Sequence, residues 1–475
     1  MSNNLNVYSQ PRTLSASSRL LAIYVGLAIL LGIAVPKILA QTFSDGALDN
    51  CYDPQINGRI YSTALQTDGK LIIVGDFNQV NGVARMGIAR LNIDGTLDTS
   101  FDPGTGAGEI QKVLIQPSGQ IVIAGEFTSY NGTPRGNIAR LNQDGTLSTF
   151  GANIGTNFRI ADMAELSSGS IVIVGTFGTY DGANNACVAK LSSSGALDTA
   201  YDYNGGCPNG ITTVGADGNK AIIWGNGVFA RLGEIDGHFD STFTPPASLS
   251  GSMIDIRKQQ DGKILIAGSM YLAPNPQYLV RLNNDGTLDS SFSSGLTVFD
   301  PFGGYIARAV VPQSDGKILV GGSFDGGVPR KLARLNIDGT LDSTFDQGTG
   351  IASGPFVSVN DIAIQSDGKI VAAGIINQYN GINRLVIARL QNATTVSGRV
   401  VSPSGTSLRN VVVKMTDPQG VVRSATTSSF GFYTFSNVTT CVTFVFSATS
   451  NRYRFTPQQV QITGNTTLPN FVGLE

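Results

Sequence analysis

The chain has 475 residues, among them 58 glycines, with only 14% charged residues and a formal net charge of −2. Its apolar content of 41% excludes a disordered chain, and the lack of a basic excess excludes the electrostatic signature of nucleic-acid binding. Many glycines and few charges are expected where tight turns join buried strands.

The first predicted element is an N-terminal export signal. Arg12 and Arg19 precede an apolar run from Leu20 to Val35, and Ala40 offers a small residue for cleavage. This pattern predicts a secretory signal peptide over residues 1–40. The alternative is an uncleaved anchor, because the run is only slightly shorter than a membrane span. Either way, the remainder is expected to be secreted or held at the cell surface, touching a membrane only through an uncleaved segment.

A polar turn followed by an apolar strand then recurs seven times. The turns share an Asp or Ser followed by glycine, and the glycines are Gly69, Gly119, Gly169, Gly218, Gly262, Gly316 and Gly368. Successive glycines are 44 to 54 residues apart. A period near fifty predicts a propeller or a solenoid rather than one mixed core.

Each period is predicted to be one antiparallel sheet of four strands. At residues 109–151, four strand-like segments are joined by Ser-Gly, Asn-Gly and Asp-Gly turns, which accept the positive φ of tight hairpins. The second segment, residues 121–125, is apolar on both faces, as expected of a sheet packed between two others. Its terminal glycine predicts a bulge or a close approach of two backbones.

The two ends of the repeat array predict how it closes. After Leu390 the last unit lacks an Asp-Gly turn and a fourth strand, whereas residues 45–49 differ from residues 94–98 at a single position. An N-terminal strand that completes the final sheet predicts a closed ring. We therefore predict an all-β protein, with a seven-bladed β-propeller over residues 43–392, closed by an N-terminal strand and followed by a small β-sandwich.

The predicted third strands repeat a basic residue between two apolar ones. Ala-Arg-Leu is centred on Arg90, Arg140, Arg231, Arg334 and Arg389. A ring of such residues could bind a ligand. Charges repeated in stacked sheets more commonly pair locally, and the recurring carboxylates available to them are Asp98, Asp198, Asp289 and Asp342.

The period stops at Gln391, and residues 394–475 have a different pattern. Short strands separated by Gly, Pro and Ser turns predict a β-sandwich. Its aromatic residues are Phe432, Tyr433, Phe435, Phe444, Phe446, Tyr453 and Phe455. They could include a sugar-stacking platform, but the alternation of Phe444 and Phe446 favours a core for most of them.

Two family resemblances follow from these motifs. Residues 94–101 (Asp-Gly-Thr-Leu-Asp-Thr-Ser-Phe), 367–369 and 388–390 resemble the bacterial delta-60 repeat family, over residues 43–392 and more weakly in the fourth unit. This resemblance implies a secreted or surface propeller and brings no catalytic motif. Residues 396–400 and 427–433 resemble the carboxypeptidase regulatory-like family. That resemblance implies a transthyretin-like sandwich, sometimes grouped with starch-binding-like domains, that is not itself catalytic.

The four cysteines show no paired spacing of a zinc site. Export permits disulfides, and Cys187 with Cys207 is the predicted pair because the two flank one predicted hairpin. Cys441 is expected to be a small buried hydrophobic residue.

The candidate site is a ring of side chains on the propeller axis. First strands line the axis of a propeller, and side chains two residues apart share a face. Alignment on the turns predicts that Lys112, Asp162, Asp255, Arg257 and Asp361 converge there. This ring is either a ligand or cation site or an ordinary water-filled channel. If the strand phase is shifted by one residue, the ring becomes Tyr61, Gln111, Ala161, Gly210, Ile254, Arg308 and Asn360.

Catalytic motifs are not found in the sequence. The single histidine, His238, has no nucleophile elbow near it, and no P-loop or calcium-binding loop occurs. We therefore expect an exported binding or structural protein that is not an enzyme and needs no cofactor. Its expected partner is an unidentified extracellular protein or polysaccharide. The alternatives are carbohydrate binding through the C-terminal sandwich and a channel-site hydrolase or lyase that uses carboxylates.

Overall fold

All the regular secondary structure described in this protein consists of strands. The computed structural model describes residues 45–150, 155–203, 205–207, 210–225, 227–272, 275–296, 306–324, 331–345, 349–351 and 357–474. None of these ranges contains a helix long and apolar enough to cross a membrane. The predicted signal peptide or anchor, residues 1–40, lies outside the described residues.

Seven antiparallel sheets, numbered here in chain order, are built from the described residues before position 392. Their strands are, for sheet 1, Ile60–Leu65, Leu71–Gly75 and Ile88–Leu91; for sheet 2, Ala107–Ile115, Ile121–Tyr130 and Ile138–Leu141; for sheet 3, Ile160–Glu165, Ile171–Gly175 and Val188–Leu191; for sheet 4, Thr213–Asp217, Lys220–Gly225 and Val228–Leu232; for sheet 5, Ser250–Lys258, Ile264–Leu272 and Asn275–Leu282; for sheet 6, Ala307–Pro312, Ile318–Gly322 and Leu332–Leu335; and for sheet 7, Ser358–Ile364, Ile370–Ile375 and Ile387–Gln391. The second strand of each sheet is the central one, as the sequence predicted.

Several short strands accompany these sheets. Thr133–Pro134 pairs with the second strand of sheet 2, and two-residue ribbons form at Gln79–Val80 with Val83–Ala84, Thr179–Tyr180 with Ala183–Asn184, and Gln378–Tyr379 with Ile382–Asn383. Each of these hairpins turns through an Asn-Gly or Asp-Gly pair, and Asn81, Asn131, Asp181 and Asn380 all have positive φ.

Apolar clusters fill the space between successive sheets. Ile72 and Ile123 join sheets 1 and 2 in one cluster, and equivalent clusters lie between each later pair. A further cluster joins Ile73 of sheet 1 to Val371 of sheet 7. The central strands are therefore buried on both faces, which is why they read as continuous apolar runs.

In six of the seven sheets, a glycine of the second strand lies against a bulge in the first strand. Ile160 pairs with Gly175 and Asp162 with Val174, so that Ala161 is the extra residue. A Cβ on Gly175 would collide with the backbone oxygen of Arg159. The predicted role of this glycine, a bulge with close backbone approach, is confirmed.

The predicted fourth strands are reduced to single bridges in six units, which corrects the four-stranded prediction. In the unit at residues 109–151, only Leu147 pairs, with Leu141, and Leu97 pairs with Leu91 in the same way. The chain turns away at once because the Asp98 carboxylate accepts a hydrogen bond from the amide of Ser100, at 3.0 Å.

An N-terminal strand supplies the fourth strand of sheet 7. Ala47–Leu48 pairs antiparallel with Ile387–Gln391, with Leu48 opposite Leu390. Sheet 7 is therefore completed from the other end of the repeat array.

The C-terminal residues form two sheets that share one core. One contains Phe432–Phe435, Val396–Val401, Thr466–Thr467 and Phe471–Val472, and the other contains Val422–Thr426, Val412–Thr416, Val442–Thr449 and Gln458–Ile462. Val400 and Phe446 lie in their common cluster. Tyr433, Phe435, Phe444 and Phe446 are buried there, which confirms the core role predicted for most of the aromatic residues.

Two disulfides use all four cysteines. Cys187 and Cys207, with Cα atoms 6.1 Å apart, form the predicted pair. The prediction for Cys441 is wrong, because it is exposed and bonded to Cys51, with the two Cα atoms 5.1 Å apart. This disulfide links the start of the repeat array to the C-terminal sheets over 390 positions of sequence. No local sequence pattern therefore predicts the pairing of either cysteine.

Candidate functional site

The first strands bring both predicted ring phases into the same region. A bulge interrupts the pairing of six first strands, and the extra residues are Tyr61, Gln111, Ala161, Ile254, Arg308 and Asn360. These are six of the seven residues of the shifted ring. A bulge places two consecutive residues opposite one partner, so the simple alternation of faces fails at this point. Residues of both rings consequently line the cavities described next.

All five predicted site residues line one cavity of about 320 Å³, here called the aspartate cavity. Lys112 Nζ lies 3.1 Å from Asp162 Oδ1, and Arg257 Nε lies 2.9 Å from Asp255 Oδ1. Asp361 also acts electrostatically on Lys112 and Arg257. The predicted convergence is therefore found in the structure.

Each of the three aspartates also ties its sheet to the next one. Asp162 Oδ2 accepts a hydrogen bond from the Val214 amide at 3.0 Å, and Asp255 Oδ2 accepts one from the Val310 amide at 2.9 Å. Asp361 Oδ2 accepts one from the Thr63 amide at 2.6 Å. These bonds run from sheet 3 to 4, from 5 to 6 and from 7 to 1, so the three carboxylates hold neighbouring sheets together.

Burial and charge shift the ionisation of this group. Burial raises the pKa of Asp162 and of Asp361, against the lowering effect of the nearby cations. Burial also acts to lower the pKa of Lys112, but Asp162, Asp255 and Asp361 outweigh it and the pKa is raised. Lys112 is therefore held as a cation among the three carboxyl groups.

A second cavity, of about 440 Å³, lies at the N-terminal ends of the first strands and is here called the basic cavity. Its charged lining consists of Arg59, Lys112, Arg159, Asp162 and Arg308. Neutral residues from the other sheets, among them Thr212, Ile254 and Asn360, complete the wall, so all seven sheets contribute to it. Its volume is within the range of about 300–1,000 Å³ typical of small-molecule sites.

Arg59 and Arg159 were missed by the sequence analysis. Both lie nine residues before the Asp or Ser of the turn in their units, two residues before the shifted ring, which is a position that the alignment did not compare. Arg308 belongs to the shifted ring.

The single histidine of the sequence lies beside an exposed aspartate. His238 Nδ1 lies 3.3 Å from Asp236 Oδ2, and both side chains are more than half exposed. Within the described ranges, no group of three or more His, Cys, Asp or Glu side chains could hold a metal ion.

Six of the seven repeated basic residues of the third strands pair locally with a carboxylate, as predicted, whereas Arg140 donates to the backbone oxygens of Thr149 and Ser193. Arg90, Lys190, Arg281 and Arg334 lie 2.7, 3.2, 2.6 and 2.6 Å from Asp98, Asp198, Asp289 and Asp342, respectively. Burial acts to raise the pKa of Asp98 but is outweighed by hydrogen bonds from Lys70, Ser100 and Arg90, so this pKa is well below its usual range. These residues are therefore structural and do not form a ligand ring.

Six basic side chains of the third strands also donate to a backbone oxygen of the next unit. Arg231 Nη1 donates to the backbone oxygen of Asn284 at 2.7 Å, and Lys190 Nζ donates to that of Glu234 at 2.7 Å. Arg389 makes the same contact with Ile93, which belongs to the first unit. One side chain thus stabilises both its own sheet and the contact with its neighbour.

Comparison with known proteins agrees with this geometry. Six segments, residues 66–101, 116–149, 166–201, 259–292, 313–345 and 365–392, match the family model described as a domain of unknown function (DUF5122) beta-propeller. The protein is a β-propeller. The matched segments leave out the fourth unit, where the sequence resemblance was also weakest, and the C-terminal sheets of the propeller protein.

Solved structures with a similar fold have little sequence in common with this propeller protein. The extracellular domain of a one-component system from B. thetaiotaomicron is 11% identical with a TM-score of 0.40, covering 88% of this chain and 57% of its own. A catalytically inactive virginiamycin B lyase from Staphylococcus aureus is 14% identical with a TM-score of 0.44, covering 71% and 98%. This chain thus spans little more than half of the first of these proteins. No curated protein sequence matches the chain.

Proposed function

We propose that this propeller is exported and acts as a non-catalytic binding protein whose ligand site is the basic cavity. One observation carries the proposal: side chains from all seven sheets converge on one cavity of ligand size, and its cations outnumber its carboxylates. A cavity assembled from every repeat is rigid, because each part of its wall belongs to a packed sheet.

The proposed scaffold is a closed ring of seven blades. Three kinds of contact that occur within or between units elsewhere in the array also join its two ends. They are the strand pair of Leu48 with Leu390, the Asp361 to Thr63 bond, and the contact of Arg389 with Ile93. The cluster of Ile73 with Val371 supports the same closure. A closed ring fixes the cavity wall on all sides.

Export is supported by the cysteines as well as by the predicted signal. Two disulfides are expected of a protein that matures in an oxidising compartment. The N-terminal pattern of residues 1–40 is the proposed route of export, with an uncleaved anchor as the alternative.

Non-catalytic action is proposed because the buried carboxylates already have structural partners. Asp162, Asp255 and Asp361 each accept a backbone hydrogen bond from the next sheet. The raised pKa of Asp162 and of Asp361 favours the alternative, a hydrolase or lyase with a carboxyl acid in the channel. Asp162→Asn and Asp361→Asn would decide between the two if a turnover is found, because a catalytic acid cannot be replaced by an amide without loss of at least a hundredfold in kcat.

A second candidate function is carbohydrate binding through the C-terminal sheets, which we interpret as a carboxypeptidase regulatory-like domain. Phe430 and Phe432 are 70% and 56% exposed, and the Arg399 guanidinium lies over the Phe432 ring at 5.3 Å. Exposed aromatic rings are a surface on which sugars stack. Phe430→Ala with Phe432→Ala, in the full chain, would remove polysaccharide binding if this site were the one used.

A steric block tests the main proposal. Purified protein is screened against extracellular polysaccharides, oligosaccharides and proteins, and each ligand found is tested again with Ala161→Trp, which fills the basic cavity. Ala84→Trp, on an exposed ribbon, is the matched control. We expect Ala161→Trp alone to abolish binding. Ligands that bind Ala161→Trp as tightly as the original chain would place the site elsewhere.

A further inference from the structure

The charges that line the basic cavity do not balance. Four cations and one carboxylate line it, and that carboxylate, Asp162, is already paired with Lys112 at 3.1 Å. Arg59 lies 3.9 Å from Asp76, which is not part of the lining. The two cations left are Arg159 and Arg308.

Both side chains are exposed, and neither guanidinium group has an ion pair or a hydrogen bond to another described residue. The cavity wall excludes part of the water around Arg308, which lowers its pKa, and no neighbouring carboxylate offsets this effect. Most arginines of the repeat array are instead bound to an aspartate or to a backbone oxygen, as Arg281 is to Asp289. The pair Arg159 and Arg308 is therefore available to an anion from solution.

The neutral part of the wall suits a hydroxylated ring. Tyr61 is fixed by a hydrogen bond from its hydroxyl to Asp76 at 3.1 Å, and Asn360 by one from its amide to the Ile60 oxygen at 2.8 Å. Gln111 adds a second amide, and Ile211 and Ile254 add apolar surface. Amides bond hydroxyl groups, whereas a tyrosine ring and isoleucine side chains pack against the C–H face of a sugar.

We propose that the basic cavity binds a saccharide that carries a carboxylate, with Arg159 and Arg308 supplying the positive charge that attracts this carboxylate and the neutral wall contacting the ring. The inference rests on the proposed function and adds the chemical class of its ligand. Guanidinium groups bind carboxylates through two parallel hydrogen bonds, which gives direction as well as attraction. A small inorganic anion would leave most of a volume of about 440 Å³ unfilled.

Calorimetry with the full disulfide-bonded chain tests this inference. The probes are uronic-acid di- and trisaccharides, their methyl esters, which keep the ring and lose the charge, and inorganic phosphate. The variants are Arg159→Gln, Arg308→Gln and Ala161→Trp, with Arg409→Gln as the matched control because Arg409 is exposed and lies in the loop between the C-terminal strands Val396–Val401 and Val412–Thr416. Thermal unfolding of each variant shows whether it is folded.

We expect a uronic-acid saccharide to bind at least tenfold more tightly than its methyl ester, and Arg159→Gln and Arg308→Gln each to weaken it at least tenfold. Arg409→Gln should leave the affinity unchanged. Methyl esters that bind as tightly as the acids, or arginine variants that leave the affinity unchanged, overturn the inference. If Ala161→Trp abolishes saccharide binding in either of these cases, the proposed site stands. Phosphate binding as tight as that of the saccharides, or no saccharide binding at all, also overturns the inference. Uronate binding that survives Ala161→Trp removes the proposed site as well.

Discussion

Arg389 Nη2 lies 2.8 Å from Asp49 Oδ2, although the two residues are 340 positions apart and both side chains are nearly inaccessible to solvent. The same Arg389 lies over the Tyr52 ring at 4.2 Å. Arg334 has the same relationship to Asp342 and Phe345 within its own unit. Residues 49–52 therefore supply the last unit with the residues that the other units obtain locally.

Removal of this carboxylate should destabilise the whole array. In Asp49→Asn the buried Arg389 loses its counterion, and breaking one partner of a buried pair costs about 3–5 kcal/mol in the free energy of unfolding. Asp342→Asn breaks the equivalent pair inside sheet 6 and is the matched control. Denaturant unfolding should give similar losses for the two variants. A loss from Asp342→Asn without one from Asp49→Asn would contradict the proposed closure.

The two disulfides should contribute unequally. Cys51 and Cys441 enclose 390 positions, whereas Cys187 and Cys207 enclose 20. A cross-link restricts the unfolded chain more strongly when it closes a longer loop, with typical values of about 2–4 kcal/mol. We expect Cys51→Ser with Cys441→Ser to lower the Tm more than Cys187→Ser with Cys207→Ser. Equal shifts in Tm would mean that the long disulfide adds little stability beyond that of the proposed ring closure.

The glycine opposite the bulge should not tolerate a side chain. A Cβ on Gly175 would collide with the Arg159 backbone oxygen, whereas a Cβ on Gly178, three residues later, meets only the Asn157 side-chain amide at 3.8 Å. We expect Gly175→Ala to destabilise the protein by about 1–3 kcal/mol or more, and Gly178→Ala to have little effect. Chemical unfolding of the two variants measures this. A neutral Gly175→Ala would show that the backbones can separate without cost.

Acid should weaken the local ion pairs. Burial acts to raise the pKa of Asp289, but hydrogen bonds from Lys263, Ser291 and Arg281 hold it well below its usual range. A carboxyl group with a depressed pKa in the folded state adds stability that is present above its unfolded pKa, about 3.9, and is lost as the pH falls below that value. The stability difference between the original chain and Asp289→Asn should therefore be large at pH 6 and smaller at pH 2.5. A difference independent of pH would contradict the ion-pair explanation.

Much of the fold could be predicted because the same turn and strand patterns recur in successive units. The Asp-Gly turns and the buried segments 121–125 and 171–175 are local features. The match of residues 45–49 to 94–98 predicted an N-terminal strand in the last unit, where Leu48 pairs with Leu390. The convergence of Lys112 and Asp162 followed from the same alignment.

What escaped prediction depends on geometry that no single unit contains. The bulge at Ala161 breaks the alternation of faces along the first strand. A strict period of two residues therefore predicted two alternative rings, although residues of both rings line the cavities. The bond between Cys51 and Cys441 joins two regions with no shared pattern. Arg159 shares its place in the repeat with Arg59, but Glu109 and Ser252 stand at this place in other units, so no repeated signal marked it.

The order of the cysteines along the chain has a consequence for synthesis. Cys51 is made first, and its partner Cys441 is made last of the four. During the interval, Cys187 and Cys207 are both available to it as wrong partners. Because these two are only 20 positions apart, they can pair with each other soon after they are made. The short disulfide thus removes the competing thiols and leaves Cys51 free to meet Cys441 when the array is complete.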